Sequence, residues 1–223
     1  MLLPDSSGYF ITGSDTDVGK TYICCQIIAQ LRFLRIDLET RKPAESGCRE
    51  DRLGILRTHD AAALQRANDN RESLERINPF RYRAALAPHR AARLEGQRLE
   101  LGSLIEACSR DNSANRLIVE GAGGFYSPLA ENGLNADLAS ALQLPVIIVV
   151  ADRIGAVNQA LMTLQAVTSR QLRTAAIVLN QVAPQEDSAM DNAADLAPYC
   201  DTPIFCCAYQ ETLPSMFEAG PAG

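Results

Sequence analysis

Nine consecutive residues carry the first recognisable chemistry of this chain: Gly13-Ser14-Asp15-Thr16-Asp17-Val18-Gly19-Lys20-Thr21. They follow a short apolar run, Tyr9-Phe10-Ile11, and open into Tyr22-Ile23-Cys24-Cys25-Gln26-Ile27-Ile28, which has the apolar richness of a helix. Strand, glycine-bounded loop, Gly-Lys-Thr and helix is the arrangement of a phosphate-binding loop. Backbone N–H groups and the helix N-terminus hold phosphate oxygens, Lys20 adds a positive charge, and the Thr21 hydroxyl suits a Mg²⁺ ion. Five residues separate Gly13 from Gly19, because Ser14 stands where the first glycine of the strict pattern belongs. The flanking strand and helix argue against a chance Gly-Lys-Thr in a turn. This loop is expected to bind a nucleotide.

Three further residues suit the same chemistry. Lys42 precedes Pro43, which lacks the N–H for a central strand ladder, so a strand over 37–42 ends there. The loop Lys42-Pro43-Ala44-Glu45-Ser46-Gly47 then lies at a strand's C-terminal end, the edge where open α/β sheets bind ligands. Glu120 ends the apolar run Leu117-Ile118-Val119 and opens the glycine-rich stretch Gly121-Ala122-Gly123-Gly124. An acid at the end of a buried strand is rare unless paired or bound to a metal, which makes Glu120 a candidate on the Mg²⁺ side. Its glycines let backbone approach a ligand closely. Asp60 begins the helix former Ala61-Ala62-Ala63-Leu64-Gln65-Arg66, where it either complements the helix dipole or reaches a bound cation. His89, one of two histidines, reads as a structural or helix-start residue rather than a catalytic one.

The elements that must position these groups alternate. Helices are expected over 20–34, from Pro88, over 103–109, over 156–170 and over 187–196. Strands are expected at Pro145-Val146-Ile147-Ile148-Val149-Val150-Ala151-Asp152, over 174–180 and over 203–208. Asn70 and the charge-rich residues 71–76 read as a polar surface turn and Asn78-Pro79-Phe80 as an extended break. Alternating strands and helices predict an α/β fold, a doubly wound, mostly parallel sheet with helices on both faces, of the P-loop NTPase kind. The 223 residues suit one domain over 1–223, with a Gly/Pro-rich tail after about 212 expected to be mobile.

A net charge of −6 and a pI near 5.0 argue against a dedicated nucleic-acid partner. No apolar run approaches the roughly 20 residues a membrane span needs, and the first residues show no secretory signal. Seven cysteines without a Cys-x-x-Cys fit reduced core residues and a cytoplasmic setting.

Taken together, these stretches resemble the dethiobiotin synthetases, ATP-dependent ligases of biotin synthesis. The resemblance rests on Thr12-Gly13-Ser14-Asp15-Thr16-Asp17-Val18-Gly19-Lys20-Thr21, close to the family's T-G-T-D-T-x-V-G-K-T. It continues in family order through Lys42-Pro43-Ala44-Glu45-Ser46-Gly47, Asp60-Ala61, Asn78-Pro79, Pro88-His89, Val119-Glu120-Gly121-Ala122-Gly123-Gly124, Leu144-Pro145-Val146, 155–158 and Asn180. It implies a homodimer that carboxylates 7,8-diaminopelargonate with CO₂ and closes it to a cyclic urea. The amine becomes a carbamate, ATP phosphorylates the carbamate oxygen, and the second amine displaces phosphate from the mixed anhydride.

On this resemblance Lys42, Lys20 and Thr16 are the catalytic set. Nucleotide binding falls to Asp17, Val18, Gly19, Lys20, Thr21, Tyr22, Asp60, Glu120, Gly121, Ala122, Gly123, Asn180 and Gln181, with Asn180 reading adenine. Mg²⁺ is expected on Thr21, Asp60 and Glu120, and the substrate on Lys42, Ser46 and the partner subunit's Asn158, at a helix start that suits its carboxylate. Cys206-Cys207-Ala208-Tyr209-Gln210-Glu211 stands where the family usually has a G-x-[IV]-P-like stretch of the adenine pocket, and Phe125 replaces a frequent tryptophan. Two rivals share the loop. A cobyrinate-type amidating synthetase needs a glutaminase domain for which this chain has no room. A ParA-like ATP switch needs an early signature lysine, whereas the first lysine here is Lys20.

Overall fold

Runs of β-branched and apolar residues become the central strands because both faces of the sheet are covered. The computed structural model describes residues 3, 6–184 and 189–218. Its main sheet holds β1 (Gly8–Gly13), β2 (Leu38–Arg41), β3 (Arg116–Gly124), β4 (Val146–Ala151), β5 (Thr174–Asn180) and β6 (Ile204–Cys207). All neighbours are parallel, in the order β6-β5-β4-β1-β3-β2. Strand β1 lies between β4 and β3, so the chain leaves it for one side of the sheet and later returns to the other. That reversal opens a crevice at the C-terminal ends of β1 and β3, where ligands of open α/β sheets sit.

Alternation along the strands divides the core. Tyr9 and Ile11 of β1 face one layer, with Ile118 of β3 and Ile147 and Val149 of β4. That layer packs on α1 (Lys20–Phe33), whose Ile23, Cys24, Ile27, Ile28 and Leu31 repeat at helical spacing on one buried face. Leu64 of α2 (Asp60–Ala67) joins it. Phe10, Val119, Ile148 and Val150 point to the opposite layer, closed by α3 (Asn135–Leu142) and α4 (Ala156–Ser169).

Several expectations are corrected. β3 runs on through the glycine stretch to Gly124, with a register shift against β1 between Ile11 and Gly13. The 71–76 stretch is a turn only in part, since Ser73 caps a helical turn, Leu74–Ile77. The break expected at Asn78-Pro79-Phe80 ends one residue early, because Phe80 opens a short strand, Phe80–Tyr82, that pairs in parallel with Ala44–Ser46. The helix expected over 103–109 is Leu101–Ala107, and the one expected over 187–196 is Asn192–Leu196, with 187 and 188 outside the described residues. The tail expected to be mobile is packed as far as it is described. Leu213, Met216 and Phe217 are buried beside Tyr9 and α1, and Gln30 donates to the Leu213 carbonyl at 2.9 Å. Residues 219–223 lie outside the described residues.

Candidate active site

The loop after β1 wraps the N-terminus of α1 because two positions need glycine. Gly19 adopts φ +85°, and a Cβ there would lie 2.1 Å from the Asn180 amide nitrogen. A Cβ on Gly13 would meet the Lys20 ammonium at 2.9 Å. Lys20 is therefore tucked into its own loop, donating to the Asp15 carbonyl at 2.7 Å. Burial, and after it the charge of Lys42, lowers Lys20 to about 8.

Lys42 leaves the end of β2 and enters a nest of oxygens. Its ammonium lies 2.6 Å from Glu120 Oε1, 2.9 Å from Asp60 Oδ2 and 3.1 Å from the Gly121 carbonyl. Thr21 donates its hydroxyl to the same Glu120 oxygen at 2.7 Å. Burial alone would lower Lys42, but the charges of Glu120 and Asp60 outweigh it and hold the ammonium well above the ordinary lysine value. Burial would also raise Asp60, yet the Lys42 charge and hydrogen bond keep it below its usual range. Glu120 is raised, because its complete burial exceeds what Lys42 returns. Its second oxygen, Oε2, is buried and has no partner among the described residues.

These groups share one cleft of about 650 Å³ with Thr16, Asp17, Gly19, Ser46, Ala122 and Gly123. The phosphate loop, the strand-end lysine and both acids thus meet although they are far apart in sequence. A wall of small and apolar residues, Ala85, Leu86, Ala87, Pro88 and Pro128, completes it. The hard oxygens of Thr21, Asp60 and Glu120, one of them buried without a partner, are a donor set that fits Mg²⁺.

Other expected site residues lie outside the cleft. Val18 is buried in the core beneath the loop. Tyr22 is 41% exposed and donates to the Glu211 carbonyl. Gly121 contributes only its carbonyl, behind Lys42. Asn180 donates its amide to the Val18 carbonyl at 3.0 Å, so this group braces the phosphate loop. Gln181 accepts from the Tyr209 N–H at 3.2 Å, joining the end of β5 to the atypical 206–211 stretch. Asn158 is exposed on the first turn of α4, with its amide 3.6 Å from the Met162 sulfur.

A family model described as an AAA domain matches residues 7–213. The ATP-dependent dethiobiotin synthetase BioD of Anaeromyxobacter dehalogenans is 41% identical over 193 residues, 85% of this chain and 84% of that protein. The chain belongs to the dethiobiotin synthetase family. The like-named protein of Vesicomyosocius okutanii is 36% identical over 88% of each chain, and that of Akkermansia muciniphila is 34% identical over 88% of this chain and 89% of its own. Among solved structures, the signal recognition particle receptor FtsY of Elizabethkingia anophelis superposes with a TM-score of 0.48 at 12% identity, over 91% of this chain and 59% of that one.

Three side chains that shape this site, Asn78 and Glu45 within stretches that carry the family resemblance and Asn135 outside them, were given no role on the sequence alone. Asn78, fully buried, donates to the Lys42 carbonyl at 2.5 Å while the Lys42 N–H reaches the Ile77 carbonyl. Asn135 ties down the glycine stretch, accepting from the Ala122 N–H and donating to the Ala122, Gly124 and Ser127 carbonyls. Glu45 accepts three backbone N–H groups at the start of α2. The signal each gave was a polar residue beside a chemically active stretch, which by itself does not name its partner.

Proposed function

We propose that this chain carboxylates 7,8-diaminopelargonate with CO₂ and closes it to dethiobiotin at the expense of ATP. The observation that carries this reading is a pair of buried ammonium groups in one cleft, Lys20 in the phosphate loop and Lys42 across from it. One suits the β- and γ-phosphates. The other suits a second anion that must meet the γ-phosphate.

In this reading one amine adds to CO₂, loses a proton and becomes a carbamate whose oxygens accept from Lys42, with the Ser46 and Thr16 hydroxyls alongside. The carbamate oxygen attacks the γ-phosphorus, the bond to the bridging oxygen breaks, and ADP leaves on Lys20 and the loop N–H groups. The second amine then attacks the carbamoyl carbon and phosphate departs, leaving the cyclic urea. Phosphoryl transfer of this kind needs positioning and charge neutralisation more than covalent help from the protein. Mg²⁺ would be held by Thr21, Asp60 and Glu120 and would supply further neutralisation of the phosphates. The apolar wall from Ala85 to Pro88 suits the aliphatic chain of the diamine.

A homodimer belongs to the same reading. Ile154 and Met162, 93% and 64% exposed, flank Asn158 along the start of α4 and offer apolar surface for a second copy. The α4 N-terminus of the partner would receive the substrate carboxylate. All seven cysteines are free, and no described helix is long and apolar enough to cross a membrane, which supports a cytoplasmic, reduced setting. Incubation with the diamine, ¹³C-bicarbonate, Mg²⁺ and ATP should give dethiobiotin carrying one label, with one phosphate released per product. ATP hydrolysis indifferent to the diamine would overturn the reading and favour a nucleotide switch.

A further inference from the structure

Glu45 stands three residues after Lys42 and lines the same cleft, yet its carboxylate turns away to the start of α2. One oxygen accepts from the His59 N–H at 2.7 Å and the Asp60 N–H at 3.0 Å, and the other from the Ala61 N–H at 3.0 Å. Three of the four donors that a helix start leaves open are thereby taken by one distant side chain. His59 holds the local cap position and makes no side-chain cap hydrogen bond, and Thr58 stands one residue upstream of it. Its hydroxyl is buried and has no partner among the described residues. A helix start is ordinarily capped by the side chain at the cap position itself; here the charged group from the Lys42 loop takes those donors instead.

The consequence is a closed circuit. The Asp60 carboxylate meets the Lys42 ammonium at 2.9 Å, the Asp60 N–H is held by Glu45, and Glu45 is joined to Lys42 by three peptide bonds. The backbone of that link is itself fixed, because Ala44–Ser46 pairs with Phe80–Tyr82 and Asn78 holds the Lys42 carbonyl. A cap supplied locally, from the cap position, would satisfy the helix but would leave the distance between α2 and the Lys42 loop unset.

We propose that Glu45 is a positioning residue that sets Asp60 at its working distance from Lys42 and Glu120, and thereby fixes the divalent-cation site. This rests on the assignment of Asp60 and Glu120 to that cation. The test uses Mn²⁺ as probe, its binding to the intact protein with saturating ATP followed by paramagnetic resonance, with turnover and thermal unfolding measured beside it. Loss of an outer partner of a metal ligand weakens metal affinity by about tenfold or more. Glu45→Ala should therefore raise the Mn²⁺ concentration at half-saturation by about tenfold. Glu45→Gln, which keeps one acceptor oxygen at the helix start and is the variant to use should Glu45→Ala not fold, should raise it by about threefold, a partial form of the same loss. A simple helix cap would lower the unfolding temperature and leave the Mn²⁺ titration where it was. An unchanged titration in a folded variant would overturn the proposal. Should the parent protein turn over no diamine while Glu45→Ala still weakens Mn²⁺, the ligase reading would fail and the role of Glu45 would stand.

Discussion

Arg41 and Lys42 are consecutive, cationic and buried, and each lies between two carboxylates. Arg41 belongs to the interior of its surroundings: its guanidinium pairs with Glu39 at 2.6 Å and with Glu72, and donates to the Thr40 and Ser109 carbonyls. Both oxygens of Glu39 are also taken by the N–H groups of Asp111 and Asn112, and Glu72 accepts from Thr40 and Asn68. Of the three Arg41 guanidinium nitrogens, Nε has no partner among the described residues. At Lys42 the balance differs. Glu120 Oε1 receives two donors while Oε2 receives none, and the nest opens on a cleft. A cation whose acids are saturated is scaffold; one beside an acid that keeps an unpartnered oxygen, in a nest that opens on a cleft, is poised to exchange partners. Carboxylate oxygens of Glu39, Glu72 and Asp111 also come within 4.8 Å of one another, a spacing that could hold a metal, but the Arg41 guanidinium already fills that role.

The largest expected effect breaks the scaffold side. Arg41→Met leaves Glu39 and Glu72 without their counter-ion, and stranding a buried charge in this way costs about 3–5 kcal/mol. Urea unfolding should show that loss, while the protein that remains folded at low temperature turns over at close to the parent rate. A parent-like urea midpoint would mean that water reaches the cluster and that the two nests do not differ as described.

Next comes the working side. Lys42→Met should lower kcat by about 10²–10³, the scale for losing one preorganised donor to developing negative charge, with ATP affinity within a few-fold of the parent. An interaction made mainly in the transition state is lost in that pattern. Because the ammonium occupies both acids, its removal should leave Mn²⁺ affinity equal or tighter, opposite to Glu45→Ala. Steady-state turnover and Mn²⁺ titration on the same preparation decide, and a kcat within a few-fold of the parent would take Lys42 out of the chemistry.

The sequence carried these two residues unequally. Lys20, Thr21, Lys42, Asp60 and Glu120 were legible because a phosphate loop is local and because strand ends in an open sheet share one edge, so their meeting follows from topology. The doubly wound sheet was legible from the apolar run at 146–151 and its counterparts for the same reason. Arg41 was not, since a charged residue on a short strand gives no sign that Glu39, Glu72 and Ser109 will close around it. Glu45, Asn78 and Asn135 escaped because they bind backbone groups far along the chain, and backbone N–H and C=O are the same at every position. Asn180 was expected at adenine, and its amide is seen beneath the loop at Val18. As far as residue 218 the Gly/Pro-rich composition of the tail hid Leu213, Met216 and Phe217, which are buried.

The smallest effect lies at the rim of the scaffold nest. Asp111 is about two-thirds exposed, and its carboxylate meets Arg76 at 2.8 Å and stands 3.6 Å from Arg41. The Arg76 hydrogen bond outweighs the little burial there and holds Asp111 below its ordinary range. An acid with a lowered folded value stabilises the fold above its unfolded value, and that contribution fades as pH falls through the lowered one. Exposure and salt limit it to under about 1 kcal/mol. Asp111→Asn should therefore shift the urea midpoint slightly downward at pH 7, by the same amount at pH 5, and by progressively less below about pH 4, the ordinary aspartate value, where the parent acid becomes protonated too. Raising salt should shrink the difference at pH 7, whereas the Arg41→Met loss, sealed from solvent, should scarcely respond. A pH-independent difference would show that Asp111 acts through its shape and hydrogen bonds, and that the rim carries no charge of consequence to the nest.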